Sequence, residues 1–247
     1  MKISALIIAR NEQEKIESTL KTLDFVDEII VILDRSVDET KSISARYTKK
    51  IYQGSWESEG KRRNYGISKC SSNWILEIDA DELVCNELKK EIIKKINVQN
   101  IDFYYIPLTN FVGKKKIIKG WMACLAPDGK FCLFKKGRKS WIDGSVHPRY
   151  TIEGRKGETF MNAINHFMSK DISDLLLKFN RNTSLYARDL RLEGRNLEKL
   201  FSIRKIFSRF FKSFFSRGGF KYGGIGFFIG ILCAIYPYVS AVKSKED

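Results

Sequence analysis

The sequence has few of the side chains that build metal cages or disulfide frameworks. Its 247 residues include five cysteines, with no CxxC pair among them, and two histidines, His147 and His166. An odd number of cysteines without paired spacing argues against a disulfide framework, so we expect the thiols to be reduced. Two separated histidines argue equally against a zinc site.

Several other features are absent from the chain. The apolar run at residues 3–9 is too short for a secretory signal and ends at Arg10-Asn11-Glu12, so we expect the protein to begin in the cytosol. No internal repeat or low-complexity segment suggests a scaffold of several domains. A glycine-rich phosphate loop is missing near the N-terminus, which argues against a nucleotidyltransferase. The length suits one domain of roughly 200 residues with an appendage.

Acidic residues are scarce in the second half of the chain. Residues 1–100 contain 17 Lys and Arg against 17 Asp and Glu, whereas residues 101–247 contain 27 against 12. The whole net charge of +15 therefore lies after residue 100. We expect the second half to face an anionic partner, for which a bilayer surface, a nucleic acid and a phosphorylated acceptor are the candidates.

The first hundred residues alternate between strand and helix patterns. Continuous apolar runs predict buried strands at residues 3–9, 28–33, 51–52 and 74–79. Helical spacing predicts helices at residues 12–23, 38–47 and 60–70. This alternation predicts a parallel sheet with right-handed crossovers and a ligand site at the carboxyl ends of its strands.

Polar clusters follow three of these predicted strands. Asp79 and Asp81 come directly after the strand at 74–79, Asp34 and Asp38 follow the second strand, and residues 10–12 follow the first. Two carboxylates at i and i+2 suit Mg²⁺ or Mn²⁺ held against a diphosphate. The alternative is that Asp81 caps a helix at residues 87–96.

Four segments match, in order and spacing, the inverting family 2 glycosyltransferases, which this chain resembles. They are Ala9-Arg10-Asn11-Glu12, residues 34–40, Lys61-Arg62-Arg63-Asn64-Tyr65-Gly66 and Asp79-Ala80-Asp81-Glu82. Within that family the chain is most similar to the WaaE-like lipopolysaccharide core group, through residues 121, 127–128, 133–135, 144–147, 166 and 178–187. The resemblance implies a GT-A fold, a Rossmann-like, mainly parallel sheet flanked by helices. It would occupy residues 1–197, with a nucleotide-binding half at 1–100 and an acceptor half at 101–197.

The resemblance also implies roles for individual residues. The residues expected on the nucleotide-sugar donor are Ala9, Arg10, Asn11, Glu12, Asp34, Lys61 and Asp79. Asp81 is expected to ligate an Mg²⁺ or Mn²⁺ ion directly, with Asp79 beside it. Asp38 is either a ligand or the cap of the next helix. In the basic triplet we favour Lys61 as the phosphate contact.

An inverting transferase needs a base that takes the acceptor proton. We place Asp143 first and His147 second, with Glu153 and Asp128 as further candidates. The related group commonly has Glu after the position of His147, where this chain has Pro148, so the base stays open. Asp143-Gly144 also fits a simple turn, and both histidines fit a structural role.

The C-terminal residues 198–247 predict membrane-associated helices. Residues 199–217 contain six basic and no acidic residues, and their apolar positions recur at helical spacing: Leu200, Ile203, Phe207, Phe210, Phe211, Phe214 and Phe215. Residues 222–242 then carry no charge. A basic amphipathic helix suits an anionic interface, although packing on the domain is the alternative. We predict monotopic attachment at the cytoplasmic face of the inner membrane, with a single span as the alternative.

Together these features predict a metal-dependent inverting glycosyltransferase. It would move a hexose from UDP-glucose or UDP-galactose to a lipid-anchored glycan such as the lipopolysaccharide inner core. A polyprenyl-phosphate glycosyltransferase is the near alternative, and a non-catalytic membrane or nucleic-acid binder is the distant one. The expected partners are the nucleotide sugar, the lipid-linked acceptor and the membrane surface, not nucleic acid. Self-association through the C-terminal helices stays open.

Overall fold

The structure is a computed structural model that describes residues 1–143, 148–194 and 197–246. The chain forms two compact units. The first comprises Met1–Leu108 and Gly129–His166, and the second comprises Thr109–Asp128 and Phe167–Asp247. The boundary that we predict between residues 197 and 198 lies inside the second unit, because the helices on either side of it pack together.

Eleven strands and seven α-helices occur among the described residues. The strands are β1 (Ile3–Ala9), β2 (Glu28–Asp34), β3 (Ile51–Gly54), β4 (Trp74–Asp79), β5 (Glu82–Leu83), β6 (Phe103–Val112), β7 (Lys115–Ile117), β8 (Gly129–Lys135), β9 (Lys139–Trp141), β10 (Tyr150–Ile152) and β11 (Ile164–Ser169). The helices are α1 (Ile16–Lys21), α2 (Thr40–Ser44), α3 (Glu59–Lys69), α4 (Asn86–Lys95), α5 (Ile172–Leu192), α6 (Ile203–Phe211) and α7 (Gly223–Lys243). The predicted alternation of strands and helices is confirmed.

The main sheet has the strand order β3-β2-β1-β4-β8-β6-β11-β5, and β7 pairs with β6. The strands β1 to β4 run parallel to one another, while β8 joins β4 in the antiparallel direction. A separate antiparallel hairpin is formed by β9 and β10. The sheet is therefore parallel where the sequence predicts crossovers and antiparallel beyond β4.

The core of the first unit lies on both faces of the parallel strands. All but one residue of β1 and all but the last residue of β4 are buried, which explains why these strands are continuous apolar runs. Gly66 lets α3 approach the sheet closely, since a Cβ atom there would lie 2.7 Å from Leu6 Cδ1. Burial of this kind fixes the strand ends, and with them the residues that follow each strand.

The second unit is largely helical. α7 packs against α5 and against α6, which continues into a π-helical turn at Lys212–Ser216. Within the part of the chain that the structure describes, one helical segment, Gly219–Lys243, is long and apolar enough to cross a membrane by length and composition alone, and half of its most apolar stretch of 18 residues is buried in the protein.

Candidate active site

Polar residues collect where the parallel strands end. On β1, Ile8 is level with Ile32 of β2 and with Asp79 of β4. Asp34 is the last residue of β2, so Asp34 and Asp79 lie at the same edge of the sheet, as the sequence predicts. In open α/β sheets this carboxyl edge is where ligands bind.

The backbone at this edge is strained in two places. Asn11, after β1, has a φ angle of 55°, and Arg35, after β2, has a φ angle of 52°. Asn tolerates the left-handed region, whereas an Arg there costs on the order of 1–3 kcal/mol. Asn11 Oδ1 accepts the N–H of Val37 at 2.9 Å, and its own N–H donates to the Ser36 hydroxyl at 3.2 Å. Asn11 therefore shapes the loop after β2, and its contact with a nucleoside stays a prediction.

The loops after β1 and β2 are joined by further hydrogen bonds. Glu12 N–H donates to Thr40 Oγ1 at 2.8 Å, and Gln13 N–H donates to Asp38 Oδ2 at 3.1 Å. Asp38 Oδ1 accepts the N–H of Thr40, the first residue of α2, at 3.1 Å. The N-cap of α2 is Glu39, so Asp38 is not the cap that the sequence allows; it lies one residue earlier and ties the first residue of α2 to the loop after β1. Of the remaining predicted donor contacts here, Ala9 is buried and Arg10 is exposed.

Asp34 is buried and fully engaged by basic side chains. Its Oδ1 accepts from Arg35 Nε at 3.0 Å and from Trp56 N–H at 3.4 Å, while Oδ2 accepts from Arg35 Nη2 at 2.9 Å and Arg62 Nη1 at 2.7 Å. Burial raises the pKa of Asp34, but the hydrogen bond from Arg35 and the charges of Arg62 and Arg35 more than offset it, so the pKa is lowered. A carboxylate has about four lone-pair sites. A ligand that bonds to Asp34, as predicted, must displace one of these donors.

Asp79 is held ionised by two cations. Its Oδ1 lies 3.3 Å from Arg63 Nη2 and its Oδ2 lies 3.2 Å from Lys130 Nζ. Burial acts to raise the pKa of Asp79, but Lys130, Arg63 and His166 outweigh it and bring the pKa well below its ordinary value. Asp79 therefore offers a charged carboxylate at the predicted donor position.

Glu82 is a second carboxylate beside Asp79. Its side chain is 1% exposed, it accepts the Asp79 N–H at 2.8 Å, and it also binds Lys130 Nζ. Burial raises the pKa of Glu82 to about 7, with the like charge of Asp79 acting in the same direction. The pKa values of the two neighbouring carboxylates are shifted in opposite directions, and Lys130 is shared between them.

Asp81 lies between a lysine and a histidine. Its Oδ1 is 3.6 Å from His166 Nε2, and its Oδ2 is 3.7 Å from Lys15 Nζ. β11 places His166 here, since His166 is level with Glu82 in the β5–β11 pair. α4 begins at Asn86 with Cys85 as its N-cap, so Asp81 does not cap that helix.

The donor set around Asp81 fits a divalent cation that is bound together with a nucleotide. Among the described residues no three Asp, Glu, His or Cys side chains converge as a preformed cage. One carboxylate oxygen and one imidazole nitrogen do meet, at Asp81 and His166. Mg²⁺ and related ions are commonly held by one or two carboxylates plus substrate phosphates, so two protein ligands suffice.

The basic triplet of α3 divides into three different roles. Lys61 is exposed and pairs with Glu57. Arg62 points to Asp34, and Arg63 bonds to Glu59 Oε1 at 2.7 Å as well as to Asp79. Lys61 is therefore the member of the triplet whose ammonium stays accessible, and its contact with phosphate stays a prediction.

The comparison with known proteins decides the family. The family model described as glycosyl transferase family 2 matches residues 4–146. This chain belongs to glycosyl transferase family 2. An uncharacterized glycosyltransferase of Rickettsia felis is 28% identical over 255 residues, covering 100% of this chain and 90% of that protein. The lipopolysaccharide core biosynthesis glycosyltransferase LpsC of Rhizobium meliloti is 22% identical and covers 98% of this chain and 91% of its own length.

A solved structure shares the fold of this chain. The S. aureus protein TarS, residues 1–349, is similar with a TM-score of 0.52 and 14% identity, covering 99% of this chain and 88% of that one. At this identity the likeness shows the fold alone. The GT-A fold that the sequence resemblance implies is thereby confirmed, and the protein is a glycosyltransferase.

The glycosyltransferase carries its first base candidate in the loop between β9 and β10. Lys139, on β9, is 3% exposed, bonds to Glu77, and lies 4.1 Å from the centre of the Trp141 ring. Trp141 Nε1 donates to Glu77 Oε1 at 2.8 Å. Asp143, two residues further, is exposed and accepts a hydrogen bond from the Ser58 hydroxyl. His147 lies outside the described residues, so both residues stay predictions as the base.

The sequence analysis missed four residues of this glycosyltransferase site. Lys15, Lys130, Glu82 and His166 surround the acid pair, yet none of them was assigned a role at the site. Leu76 of β4 is level with Leu133 of β8, and continuing this antiparallel register brings Lys130 opposite Asp79. Only knowledge of the β4–β8 pairing could have revealed Lys130, since no local pattern marks it.

Proposed function

We propose that this glycosyltransferase moves a hexose, with inversion, from a UDP-sugar to a lipid-anchored glycan such as the lipopolysaccharide inner core, and that it uses a divalent cation. The observation that carries the proposal is the meeting of Asp81 and His166 beside an ionised Asp79 at the carboxyl edge of the sheet. TarS, which shares the fold, has been crystallised with UDP and with UDP-GlcNAc. We carry a uridine nucleotide over to this chain as the leaving group.

The charged residues at the edge have complementary roles in this proposal. Asp81 and His166 would hold an Mg²⁺ or Mn²⁺ ion, which when bound neutralises the departing diphosphate. Arg63 and Lys130 keep Asp79 deprotonated at neutral pH, because they hold its pKa well below the ordinary range. Lys130 also bonds to Glu82, so Glu82 and Asp79 keep a fixed spacing whichever of them is charged.

The acceptor proton needs a base outside this edge. Asp143 is our first candidate, with His147 second, because a carboxylate after β9 has the basicity that deprotonation of a sugar hydroxyl requires once it is positioned. The hydroxyl of Ser58 donates to Asp143 Oδ1 and orients the carboxylate. Asp128 fits less well, since it pairs with Arg217 at 3.2 Å.

The name of LpsC supports a lipopolysaccharide acceptor, since that relative spans nearly the whole chain. Such an acceptor is held in a bilayer. We therefore propose that the enzyme works at the cytoplasmic face of the inner membrane as a peripheral or monotopic protein, and we retain the WaaE-like group as the expected relationship. A polyprenyl-phosphate acceptor is the alternative that the experiment separates.

The first test is donor profiling with purified protein. UDP-, GDP- and CMP-sugars are incubated with and without Mn²⁺ or Mg²⁺, and nucleotide release and thermal shift are recorded. We expect UDP release from UDP-glucose or UDP-galactose that requires the cation. Lipopolysaccharide with a truncated core and a polyprenyl phosphate are supplied in parallel, and product on the first only supports the proposed acceptor. Absence of metal-dependent UDP binding to the wild type would refute the donor proposal.

The second test is Asp81→Asn, which keeps the shape of the side chain and removes its charge. We expect turnover to fall by roughly 100-fold or more, because one electrostatic contact to the developing charge is lost. Asp24→Asn is the matched control, since Asp24 is an exposed acid that pairs with Lys89. Turnover of Asp81→Asn at the level of this control would exclude Asp81 as a metal ligand.

A further inference from the structure

One face of the second unit carries an apolar stripe that stays exposed to solvent among the residues that the structure describes. The stripe consists of Ile203, Phe207, Phe211 and Phe215, four residues apart along α6 and the π-helical turn that continues it. All four are exposed, Phe207 to 70%. Large apolar side chains that are grouped on a surface in this way mark an interaction site.

The stripe is not the face by which α6 joins its own unit. A neighbouring face of the helix already does so, through Phe210 and Phe214, whose rings lie 5.3 and 5.6 Å from the ring of Phe227 on α7. A surface helix of a globular protein needs one apolar face for its core. This helix has a second one, so packing on the domain does not account for the stripe.

The charge beside the stripe indicates what covers it. Arg204, Lys205 and Lys212 lie on the same helical segment as the stripe and are exposed. No acidic residue occurs between residues 199 and 217, so no local carboxylate neutralises them. A Phe-rich stripe bordered by cations is suited to lying in the headgroup region of a bilayer with anionic lipids. We propose that the apolar stripe is an interfacial anchor that binds anionic membrane surfaces.

α7 has a different role, although its composition would let it cross a bilayer. Its Tyr236 hydroxyl donates to the Asn182 carbonyl at 3.2 Å, and Lys243 Nζ donates to Asn180 Oδ1 at 2.7 Å. A Cβ atom at Gly226 would lie 1.9 Å from the Gly219 carbonyl oxygen, so α7 approaches its neighbouring backbone too closely for any side chain there. These contacts make α7 the internal helix of the second unit. The protein is thus attached by α6 and not by a membrane span.

The anchor is tested by flotation of the full chain with vesicles of neutral phosphatidylcholine, with and without phosphatidylglycerol. We expect binding to the anionic vesicles that weakens as salt increases. Phe207→Ser with Phe211→Ser should weaken it at least about tenfold, because two large apolar side chains leave the interface. Lys205→Gln with Lys212→Gln should weaken it about fivefold per charge on anionic vesicles.

A matched control separates the stripe from general surface hydrophobicity. Leu177 on α5 is also 70% exposed, and Leu177→Ser should leave binding unchanged. Equal binding by the Phe double variant and the wild type would overturn the anchor. Binding to RNA but not to vesicles would also overturn the anchor. The same holds if the wild type forms a dimer in the absence of lipid and the Phe double variant is a monomer. We expect the Phe double variant to release UDP from the donor at the wild-type rate in detergent-free buffer. The anchor and the transferase chemistry are therefore tested by different measurements.

The internal role of α7 has its own readout. Protein bound to one vesicle population is mixed with a second, fluorescently labelled population, and its transfer is followed. An interfacial anchor releases and rebinds, so we expect transfer within minutes. A helix that spans the bilayer does not exchange spontaneously, and retention on the first population would overturn the assignment of α7 as an internal helix.

Discussion

The two compact units use their basic residues in opposite ways. In the first unit, the basic side chains near the carboxyl edge of the sheet are paired: Lys130 with Asp79 and Glu82, and Arg62 with Asp34. In the second unit, Arg204 and Lys205 are exposed on a helix without acidic residues. Cations of the first kind hold carboxylates in place, whereas those of the second kind remain available to an external anion.

This difference shows what net charge does and does not reveal. The second unit contains 19 Lys and Arg against 8 Asp and Glu, and the first contains 25 against 21. The nearly balanced unit holds the buried ion pairs together with exposed cations such as Lys61, and the unbalanced one adds exposed cations on a helix that has no acidic residue. An excess of basic over acidic residues therefore indicates an external anionic partner. A nearly zero net charge gives no sign of the internal ion pairs that set the pKa of site residues.

The largest difference in unfolding free energy between a buried, paired cation and an exposed one is expected when Lys139 is compared with Lys205. Lys139→Met leaves Glu77 as an uncompensated buried charge, which costs about 3–5 kcal/mol in the free energy of unfolding. Lys205→Met, on exposed α6, should change it by less than about 0.5 kcal/mol. Urea unfolding measures both.

A further variant shows whether the lost pairing is the cause. Adding Glu77→Gln to Lys139→Met removes the stranded charge, so we expect the double variant to regain part of the stability. Equal effects of Lys139→Met and Lys205→Met would remove the distinction between the two units.

A second effect is expected at the opposite edge of the sheet. Glu28 accepts the Ser71 N–H at 2.6 Å and also binds Lys50 and Ser4. Burial raises the pKa of Glu28, but these hydrogen bonds outweigh it and lower the pKa to about 2. Because the folded pKa lies below the ordinary value of 4.5, the stabilisation is present above pH 4.5 and is lost as the pH falls towards 2.

Glu28→Gln tests this sign directly. Above pH 5 the variant should be less stable than the wild type by about 2–3 kcal/mol, and the gap should close between pH 5 and pH 2. Thermal or urea unfolding across that range gives the difference. Glu57→Gln, at an acid whose side chain is exposed, serves as the control. A gap that stays constant with pH would show that the carboxylate charge is not what stabilises the fold.

The sequence predicts strands better than helix starts. The strand predicted at residues 3–9 has the same bounds as β1, because an apolar run of this length fits a strand that is buried on both faces. The helix predicted at 12–23 is only Ile16–Lys21. The intervening residues are bound to the loop after β2, through Glu12 and Gln13, and such contacts between loops leave no periodic signal.

The site was predictable where it follows strand ends and not where distant strands meet. Asp79 and Asp81 stand directly after an apolar run, so their place at the edge follows from local sequence. Lys130 and His166 reach the same acids through β8 and β11, which come 50 or more residues later. Their contribution depends on antiparallel pairings that a single sequence does not specify.

The smallest change in the free energy of unfolding is expected at Lys61, in the basic triplet of α3. The same helix carries Arg63, whose loss should cost more, so the two residues can be compared within one helix. Lys61 is exposed and pairs only with exposed acids, Glu57 and Asp143, so Lys61→Met should change the free energy of unfolding by less than about 0.5 kcal/mol. If Lys61 contacts the donor phosphate, UDP should bind about tenfold more weakly, in proportion to one lost charged hydrogen bond.

Arg63→Met is the comparison for Lys61→Met. Arg63 bonds to Glu59 and Asp79, so its loss leaves both acids short of a cation and should lower stability before any effect on UDP is considered. Calorimetric titration with UDP and urea unfolding are measured on both variants. Unchanged UDP affinity in Lys61→Met would show that Lys61 does not contact the donor phosphate. If Lys61→Met lost as much stability as Arg63→Met, the exposed and the paired cations of α3 would not differ in their contribution to folding.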